Sequence, residues 1–140
     1  MDSRHNGEVH HAFVEIIKQM NPIDAQVLAD LKDSSHVLCC TVKRHETTDV
    51  YWDLYMSNRF PEPSVESSLA ISNLERLGLI HVSRYVQFFS AEDDIILKSL
   101  VEKFKSTNYY KKLPDTDNAH FSMNEVLLTP LGSKFRNICL

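Results

Sequence analysis

Glycine is scarce in this sequence and occurs only at Gly7, Gly78 and Gly132. A phosphate-binding loop needs several glycines close together, because its backbone must approach the phosphates without intervening side chains. These three glycines are too far apart to form such a loop. The sequence therefore excludes a glycine-rich nucleotide-binding motif.

Cysteine is equally rare, and its three positions fit no metal-binding motif. Cys39 and Cys40 are adjacent, Cys139 is far away, and no C-x-x-C pair occurs. Neighbouring residues of a strand point to opposite faces of a sheet, so Cys39 and Cys40 are poor joint ligands for one metal ion. The pattern predicts buried free thiols in a reducing compartment.

Long apolar runs are missing as well. No run approaches the ~20 residues that a membrane-spanning helix needs, and the N-terminal sequence MDSRHNGEVHH lacks the apolar stretch of a signal peptide. We therefore predict a cytoplasmic location. Residues 1–8 are predicted to form a flexible N-terminus or to mark a boundary within a longer protein.

Positive charge is in deficit, with 15 Lys and Arg against 19 Asp and Glu and a net charge of −4. Proteins that bind nucleic acid neutralise phosphates and usually present a basic surface. The overall charge disfavours nucleic acid as a partner, so any nucleic-acid surface would have to be local.

Catalytic and metal-binding patterns are absent from the sequence. His10, His11 and Glu15 could share one helical face, but no third partner completes a metal site. No Ser/His/Asp or Cys/His arrangement follows from the spacing. We therefore expect a protein that is not an enzyme and has no catalytic residues, metal or cofactor.

The apolar periodicity predicts a single domain over residues 9–140, with two helices first and a strand at residues 36–42. A long loop over residues 43–63 is predicted to contain a short helix, on the spacing of Val50, Tyr51, Leu54 and Tyr55. A longer helix then covers residues 64–77. Its inward residues are predicted to be Val65, Leu69, Ala70, Leu74 and Leu77.

The rest of the sequence predicts strands at residues 80–83, 85–89 and 123–128, a helix that begins near Ser90, and a closing helix that Thr129 caps. Gly78 is predicted to end the long helix in the left-handed conformation. This order predicts an α+β, winged-helix-like domain with an extra N-terminal helix. Residues 84–121 would be a helical insertion in the wing.

Two surfaces are candidates for binding. The aromatic segment with Tyr51, Trp52, Tyr55, Arg59 and Phe60 is rich in the residue types of interface hot spots, although it could equally cover the core as a lid. The alternative is a nucleic-acid surface on the helix in the recognition position and on the lysines that follow the insertion helix. Its residues are Ser67, Asn73, Arg76, Lys103, Lys105, Lys111 and Lys112.

Both parts of this alternative have a competing interpretation. Glu66 and Glu75 would lie near the phosphates and repel them, so the helix that carries Asn73 and Arg76 could instead face solvent or a protein. Lysines at the end of a helix are also expected from the helix dipole alone.

Three blocks of the sequence resemble the abortive-infection alpha (Abi-alpha) family of bacterial proteins. They are residues 8–31 (EVHHAFVEIIKQMNPIDAQVLADL), residues 72–80 (SNLERLGLI) and residues 128–139 (LTPLGSKFRNIC). His11 stands where the family usually has proline, and the further helical region that often precedes the domain is missing. The resemblance implies a role in defence against bacteriophage and defines no catalytic site.

These observations favour a non-enzymatic domain that binds a protein of the host or the phage. The alternative function is a winged-helix transcription regulator that reads DNA. A third hypothesis, a nuclease or another toxic enzyme, would require a pocket that gathers Asp, Glu and His residues. The sequence predicts no oligomeric state.

Overall fold

The structure is a computed structural model that describes residues 3–84 and 90–140. The described part of the chain is a mixed α/β fold with six α-helices and four strands. Its elements are α1 (Ser3–Lys18), α2 (Pro22–Asp30), β1 (Ser34–Lys43), β2 (Thr48–Leu54), α3 (Val65–Arg76), β3 (Ile80–Ser83), α4 (Ala91–Lys105), α5 (Asn108–Lys111), a 3₁₀ turn (Thr116–Asn118), β4 (Ala119–Leu128) and α6 (Pro130–Cys139). The strand predicted at residues 85–89 lies outside the described residues.

The four strands form one antiparallel sheet in the order β2-β1-β4-β3. Val37 and Leu38 are neighbours on β1 and point to opposite faces, because strand side chains alternate. Val37 packs into a core with α1, α2, α3 and α6. Leu38 packs into a second core with Phe104 of α4. The sheet is therefore the middle layer between two helical layers.

The predicted helix over residues 50–55 is wrong. This segment belongs to β2, which pairs with β1 from Leu54 opposite Leu38 to Thr48 opposite Lys43. Thr48, Val50, Tyr51 and Trp52 are β-branched or aromatic residues, which suit a pleated surface better than a helix. The long loop predicted over residues 43–63 is consequently interrupted by an edge strand.

The first helix begins at Ser3 rather than at Val9, so it includes most of the segment predicted to be flexible. Helix propagation adds one hydrogen bond for each residue that is ordered, so a helix anchored by apolar residues can continue into polar ones. The apolar pattern indicates where α1 packs and does not indicate where it begins.

The buried face of α3 differs from the prediction. Ser67, Ala70, Ile71 and Leu74 are the buried residues of this helix, whereas Val65 and Leu69 are each 63% exposed. Ser67 can be buried because its hydroxyl donates to the Ser64 carbonyl at 3.1 Å. The small Ser67 and Ala70 face the core, and two large apolar side chains face outward.

The left-handed Gly78 and the Thr129 cap match the sequence prediction. Gly78 ends α3 at φ 78°, in the left-handed conformation that glycine adopts without strain. The Thr129 hydroxyl donates to the Gly78 carbonyl at 2.6 Å and accepts from the Gly132 amide at 2.9 Å. One side chain therefore joins the end of α3 to the start of α6.

Candidate functional site

The five aromatic-segment residues do not form one surface. Tyr51 packs edge-on against Tyr109 in the second core, with ring centroids 6.3 Å apart. Tyr55 packs in the first core, and the half-buried Phe60 lies against it with centroids 5.6 Å apart. Trp52 is exposed and so is Arg59.

Tyr55 is a core residue with its hydroxyl satisfied inside the protein. It donates to Asp30 Oδ2 at 2.5 Å, and the Ser57 hydroxyl donates to the same oxygen at 2.5 Å. Burial, together with the hydrogen bond to Asp30, raises the pKa of Tyr55. Tyr55 is therefore not the partner contact that the sequence predicted, because the residue is only 3% exposed.

The outer side of α3 exposes large apolar side chains near Trp52. Val65 and Leu69 lie one helical turn apart on α3 and are exposed, and Trp52 is 56% exposed on the neighbouring strand. The Ser68 hydroxyl donates to the Asp53 carbonyl at 3.0 Å and holds α3 against β2. We call the surface formed by Trp52, Val65, Leu69 and Ser72 the α3 face.

Two cavities meet at Ser72 on this face. One lies between α2 and α3, has a volume of about 380 Å³, and is lined by Asn21, Ile23, Asp24, Glu66, Leu69, Ser72, Asn73 and Arg76. The other has a volume of about 390 Å³ and is lined by Trp52, Asp53, Ser72 and Arg84. The α3 face is therefore a grooved apolar surface with polar groups at both edges.

Asp53 is the most unusual residue beside this face. It lies where β2 carries an extra residue opposite β1, and its φ of 50° is in the left-handed region. Its side chain is 4% exposed, and its buried Oδ1 accepts no hydrogen bond. Residues held in sparsely populated backbone conformations are concentrated at functional sites in proteins.

Arg84 forms an ion pair with Asp53 and a hydrogen bond to Glu75. Arg84 Nη1 is 3.5 Å from Asp53 Oδ1, whereas Arg84 Nη2 donates to Glu75 Oε1 at 3.2 Å. Burial raises the pKa of Asp53 above its ordinary value of 3.8, Arg84 lowers it, and Glu75 raises it further. The geometry indicates that Glu75 is the main partner of Arg84.

The residues predicted to read DNA bases are occupied within the protein. Ser67 is fully buried, and Asn73 Nδ2 donates to Asp24 Oδ2 at 2.7 Å. Arg76 donates to Asn73 Oδ1 at 2.7 Å and to Gln19 Oε1 at 3.2 Å. In addition, α3 follows a strand rather than a helix, so it is not the second helix of a helix-turn-helix pair.

The four predicted lysines lie on the other side of the sheet from α3. Lys103 and Lys105 lie on α4. Lys111 is the last residue of α5, and Lys112 follows it. All four are exposed, and Lys105 lies 5.7 Å from the Phe121 ring centroid. Because α4 and α5 cover the second core, the structure does not bring these lysines together with Asn73 and Arg76.

The aromatic residues between the lysines are also committed to packing. Phe104 is fully buried, and its ring contacts Tyr109 and Tyr110 with centroids 5.9 Å and 5.4 Å apart. The Glu62 carboxylate accepts from the Asn108 and Tyr109 amides at 3.0 Å each. An acidic side chain therefore occupies the start of α5.

Two further predictions concern metal and thiol chemistry. Within residues 3–84 and 90–140, no group of three or more His, Cys, Asp and Glu residues is placed to hold a metal ion. Cys39 and Cys40 are buried free thiols, as predicted, whereas Cys139 is free but only half-buried. Burial raises the pKa of Cys39 and raises that of Cys40 to about 11, so both thiols are protonated at neutral pH.

The part of the chain that the structure describes contains no helix long and apolar enough to cross a membrane. The fold and the α3 face together define a mixed α/β domain with an apolar surface beside a buried carboxylate. The chain belongs to the abortive infection alpha family, whose sequence model matches residues 1–139. The family resemblance of the three sequence blocks is therefore confirmed, and it extends over essentially the whole chain.

A solved structure of an uncharacterized protein from the hydrocarbon-degrading marine bacterium Alcanivorax borkumensis SK2 is similar at 13% identity and a TM-score of 0.42. The match covers 93% of this chain and 93% of that chain. No curated protein matches the sequence.

Val65 and Leu69 were not predicted to be surface residues, and Asp53 and Arg84 were not predicted to be a pair. Val65 and Leu69 have the spacing of a helical stripe, and only the burial of Ser67 shows that the core stripe is a different one. Asp53 and Arg84 are far apart in the sequence, on β2 and after β3. No local pattern connects them.

Proposed function

We propose that this domain acts in abortive infection as a non-enzymatic protein-binding module, and that the α3 face is its binding surface. The observation that carries the proposal is the exposure of Trp52, Val65 and Leu69 on one side of α3. The family assignment supports the biological setting. The partner is a protein of the host or the phage, and the encounter takes place in the bacterial cytoplasm.

The energetics of the α3 face favour a protein partner. Burying a large apolar side chain contributes roughly 1.5–3 kcal/mol, so covering Val65 and Leu69 would supply a useful part of a binding free energy. Tryptophan is enriched among the residues that dominate interfaces. The cavity between α2 and α3 offers space for one side chain of the partner next to Leu69.

The scaffold is proposed to be a modified winged helix in which α3 has a new role. The three strands β1, β4 and β3 are adjacent in that order, with α2 before β1 and α3 before β3. β2 stands where a helix-turn-helix would have its first helix. In this proposal α3 contacts a protein through Val65 and Leu69 instead of inserting into a DNA groove.

Site-specific photo-crosslinking in phage-infected bacteria tests this function. A photoreactive amino acid at Leu69 of the full chain is expected to trap a defined partner, and the same amino acid at Ile95 is the control. Ile95 is 68% exposed but lies on α4, on the other side of the sheet. The same adduct from both positions, or none from Leu69, would contradict the proposal.

A pair of variants tests whether the contact matters for defence. Leu69→Glu is expected to abolish protection of the culture against phage, measured as the efficiency of plating, while Ile95→Glu leaves it unchanged. Both positions are exposed, so the stability of each variant is expected to stay within about 0.5 kcal/mol of the parent. Equal protection by the parent and both variants would refute a role for the α3 face.

A further inference from the structure

We infer that two copies of this chain associate through the outer edge of β2, where β2 of one copy pairs antiparallel with β2 of the other. The pairing would join the two four-stranded sheets into one continuous sheet. The strand order β2-β1-β4-β3 leaves β2 at one edge. This inference goes beyond the proposed function, because it concerns contact between copies of the chain and needs no other protein.

The hydrogen bonds of the β1–β2 hairpin show which backbone groups face this edge. The Arg44 amide donates to the Thr47 carbonyl at 2.8 Å, so these two residues form a hydrogen-bonded pair. In an antiparallel ladder, such pairs alternate with pairs that exchange no hydrogen bond. The next pair, Lys43 with Thr48, is of the second kind, and so is the pair that contains Val50. The backbone N–H and C=O groups of Thr48 and Val50 consequently point away from β1.

Among the described residues (3–84 and 90–140), these edge groups have no backbone partner. β2 pairs with β1 alone, and no turn or loop hydrogen bond involves the backbone of Thr48, Val50 or Trp52. The side chains at this edge are accessible as well, since Val50 is 37% and Trp52 is 56% exposed. An open strand edge with exposed apolar side chains is a template for pairing with another strand.

Residues 48–52 lack most features that keep a strand edge from pairing. Such edges usually contain lysine or proline, or a bulge that twists them away. The sequence TDVYW has neither lysine nor proline, and the bulge comes after it, where Asp53 has a φ of 50°. The only charged residue, Asp49, already forms an ion pair with Arg44 Nε at 3.0 Å. The edge is therefore open to a strand from residue 48 to residue 52.

The residues of this edge are complementary to themselves in one antiparallel register, with Val50 opposite Val50 of the second copy. Thr48 then lies opposite Trp52 on both sides of the centre, and an aromatic residue opposite a β-branched one is a favourable cross-strand pair. These three residues share one face of the strand and are uncharged. Because the backbone groups of Val50 point outward, the two central residues would exchange two N–H···O hydrogen bonds. The edge therefore fits a second copy of itself.

The nearest alternative register is less favourable. Centred on Tyr51, it would place Asp49 opposite Asp53, and like charges directly opposite each other destabilise a strand pair. The left-handed backbone at Asp53 also interrupts the strand, and its carbonyl accepts from the Ser68 hydroxyl at 3.0 Å. The register centred on Val50 avoids both problems, because it ends before Asp53.

The pairing has a consequence for the α3 face. Antiparallel pairing of identical strands relates the two copies by a two-fold axis perpendicular to the sheet. In each copy α3 is held against β2 by the Ser68 hydrogen bond, so both α3 helices would lie on the same side of the joined sheet. Val65 and Leu69 are on α3 and take no part in the strand pairing. The dimer would present two α3 faces together, and linked binding of two sites raises the overall affinity.

Sedimentation velocity of the purified full chain over a concentration series tests the association. We expect a reversible dimer with a dissociation constant in the roughly micromolar range, because the contact is small for a stable interface. Val50→Pro removes an N–H that points to the open edge and that β1 does not use, so it is expected to weaken association by at least ~10-fold. Val50→Thr keeps the N–H and the branched side chain, and should associate like the parent.

Disulfide crosslinking tests the register and does not depend on how Val50→Pro folds. In the inferred register the two Val50 α-carbons lie about 5.5 Å apart, within the span of a disulfide. Val50→Cys, combined with Cys139→Ser to remove the half-buried native thiol, is expected to give a covalent dimer on mild oxidation. Thr48→Cys in the same background is the matched control. Thr48 is exposed on the same face, but its two copies would be four residues apart along the strands, roughly 13 Å.

The results separate this inference from the proposed function. A monomer at every concentration, association that Val50→Pro leaves unchanged, or equal crosslinking from Val50→Cys and Thr48→Cys would overturn the β2 dimer. None of these results would alter the Leu69 crosslink or the Leu69→Glu phenotype. Dimerisation that Val50→Pro weakens, together with selective crosslinking of Val50→Cys, supports the dimer even if Leu69→Glu protects like the parent.

Discussion

The Asn73 side-chain amide donates to Asp24 Oδ2 at 2.7 Å and joins α3 to the start of α2. The same oxygen accepts from the Asn21 amide at 2.8 Å, and Asp24 is 1% exposed. Asn73 also donates to the Gln19 carbonyl at 3.2 Å. The asparagine in the position of a base-reading residue is therefore a structural link between two helices.

Asn73→Ala should destabilise the domain by about 1–3 kcal/mol. The substitution leaves the buried Asp24 Oδ2 with the Asn21 amide as its remaining donor, and a lost hydrogen bond to a charged group costs more than an average one. The free energy of unfolding from urea denaturation measures the effect. Arg76→Ala is the matched control, because Arg76 is exposed, and it should change stability by no more than about 0.5 kcal/mol. Equal effects of the two variants would contradict the structural role of Asn73.

Duplex DNA should not bind to the purified protein, even at low salt. Ser67 is buried, Asn73 is occupied, and the four lysines predicted to hold phosphates lie behind the sheet from α3. Fluorescence anisotropy of a labelled duplex, measured over a salt series, checks this expectation. Salt-dependent binding that Arg76→Ala weakens would instead support the alternative of a DNA-binding regulator, because phosphate contacts make affinity fall with salt.

Asp53 should make the domain less stable as pH rises from about 4 towards neutrality. Its pKa is raised in the folded state above the ordinary value of 3.8, chiefly by burial. Between the unfolded and folded pKa values the folded state binds more protons, so the free energy of unfolding falls as pH increases.

Urea denaturation of the parent and of Asp53→Asn over this pH range isolates that contribution, since other titrating groups cancel in the difference. The parent should lose stability relative to Asp53→Asn as pH rises. A difference that is constant with pH would mean that the pKa of Asp53 is the same in the folded and unfolded states.

Gly132→Ala should be strongly destabilising. A Cβ at this position would lie 1.8 Å from the Leu79 carbonyl oxygen, so α6 would have to move away from the end of α3. Overpacking of this kind costs about 1–3 kcal/mol and sometimes more. Thermal and urea unfolding measure the loss.

Gly78→Ala is the matched control for Gly132. An added Cβ at Gly78 meets only Leu131 Cδ2 at 3.9 Å, but the φ of 78° is unfavourable for alanine. The expected cost is about 1–2 kcal/mol from backbone conformation alone. A smaller loss for Gly132→Ala than for Gly78→Ala would contradict the close approach of α6 to Leu79.

The cap and glycine signals predicted their elements well. Ser90 and Thr129 each cap the helix that the sequence assigned to them. These interactions involve residues within one turn of each other, so the local sequence contains the whole signal. The strand β1 was similarly predicted from its apolar and β-branched residues, because a buried strand needs them along its length.

The errors lie where packing against distant residues decides the outcome. Val50, Tyr51 and Leu54 are compatible with one face of a short helix and also with a strand, and pairing with β1 selects the strand. On α3, periodicity allows either Val65 and Leu69 or Ser67 and Ile71 to face the core. The contact with α2 and β2 selects the second pair.

The sequence by itself determined the family, the absence of a glycine-rich loop, the helix caps and the Gly78 turn, because each depends on composition or on neighbouring residues. Only the tertiary structure decided which side of α3 faces outward and which charged residues meet. Asp53 and Arg84 come together because β2 and the end of β3 both approach Glu75 of α3. Such a contact is a property of the assembled fold, since side chains distant in sequence have no local signal that pairs them.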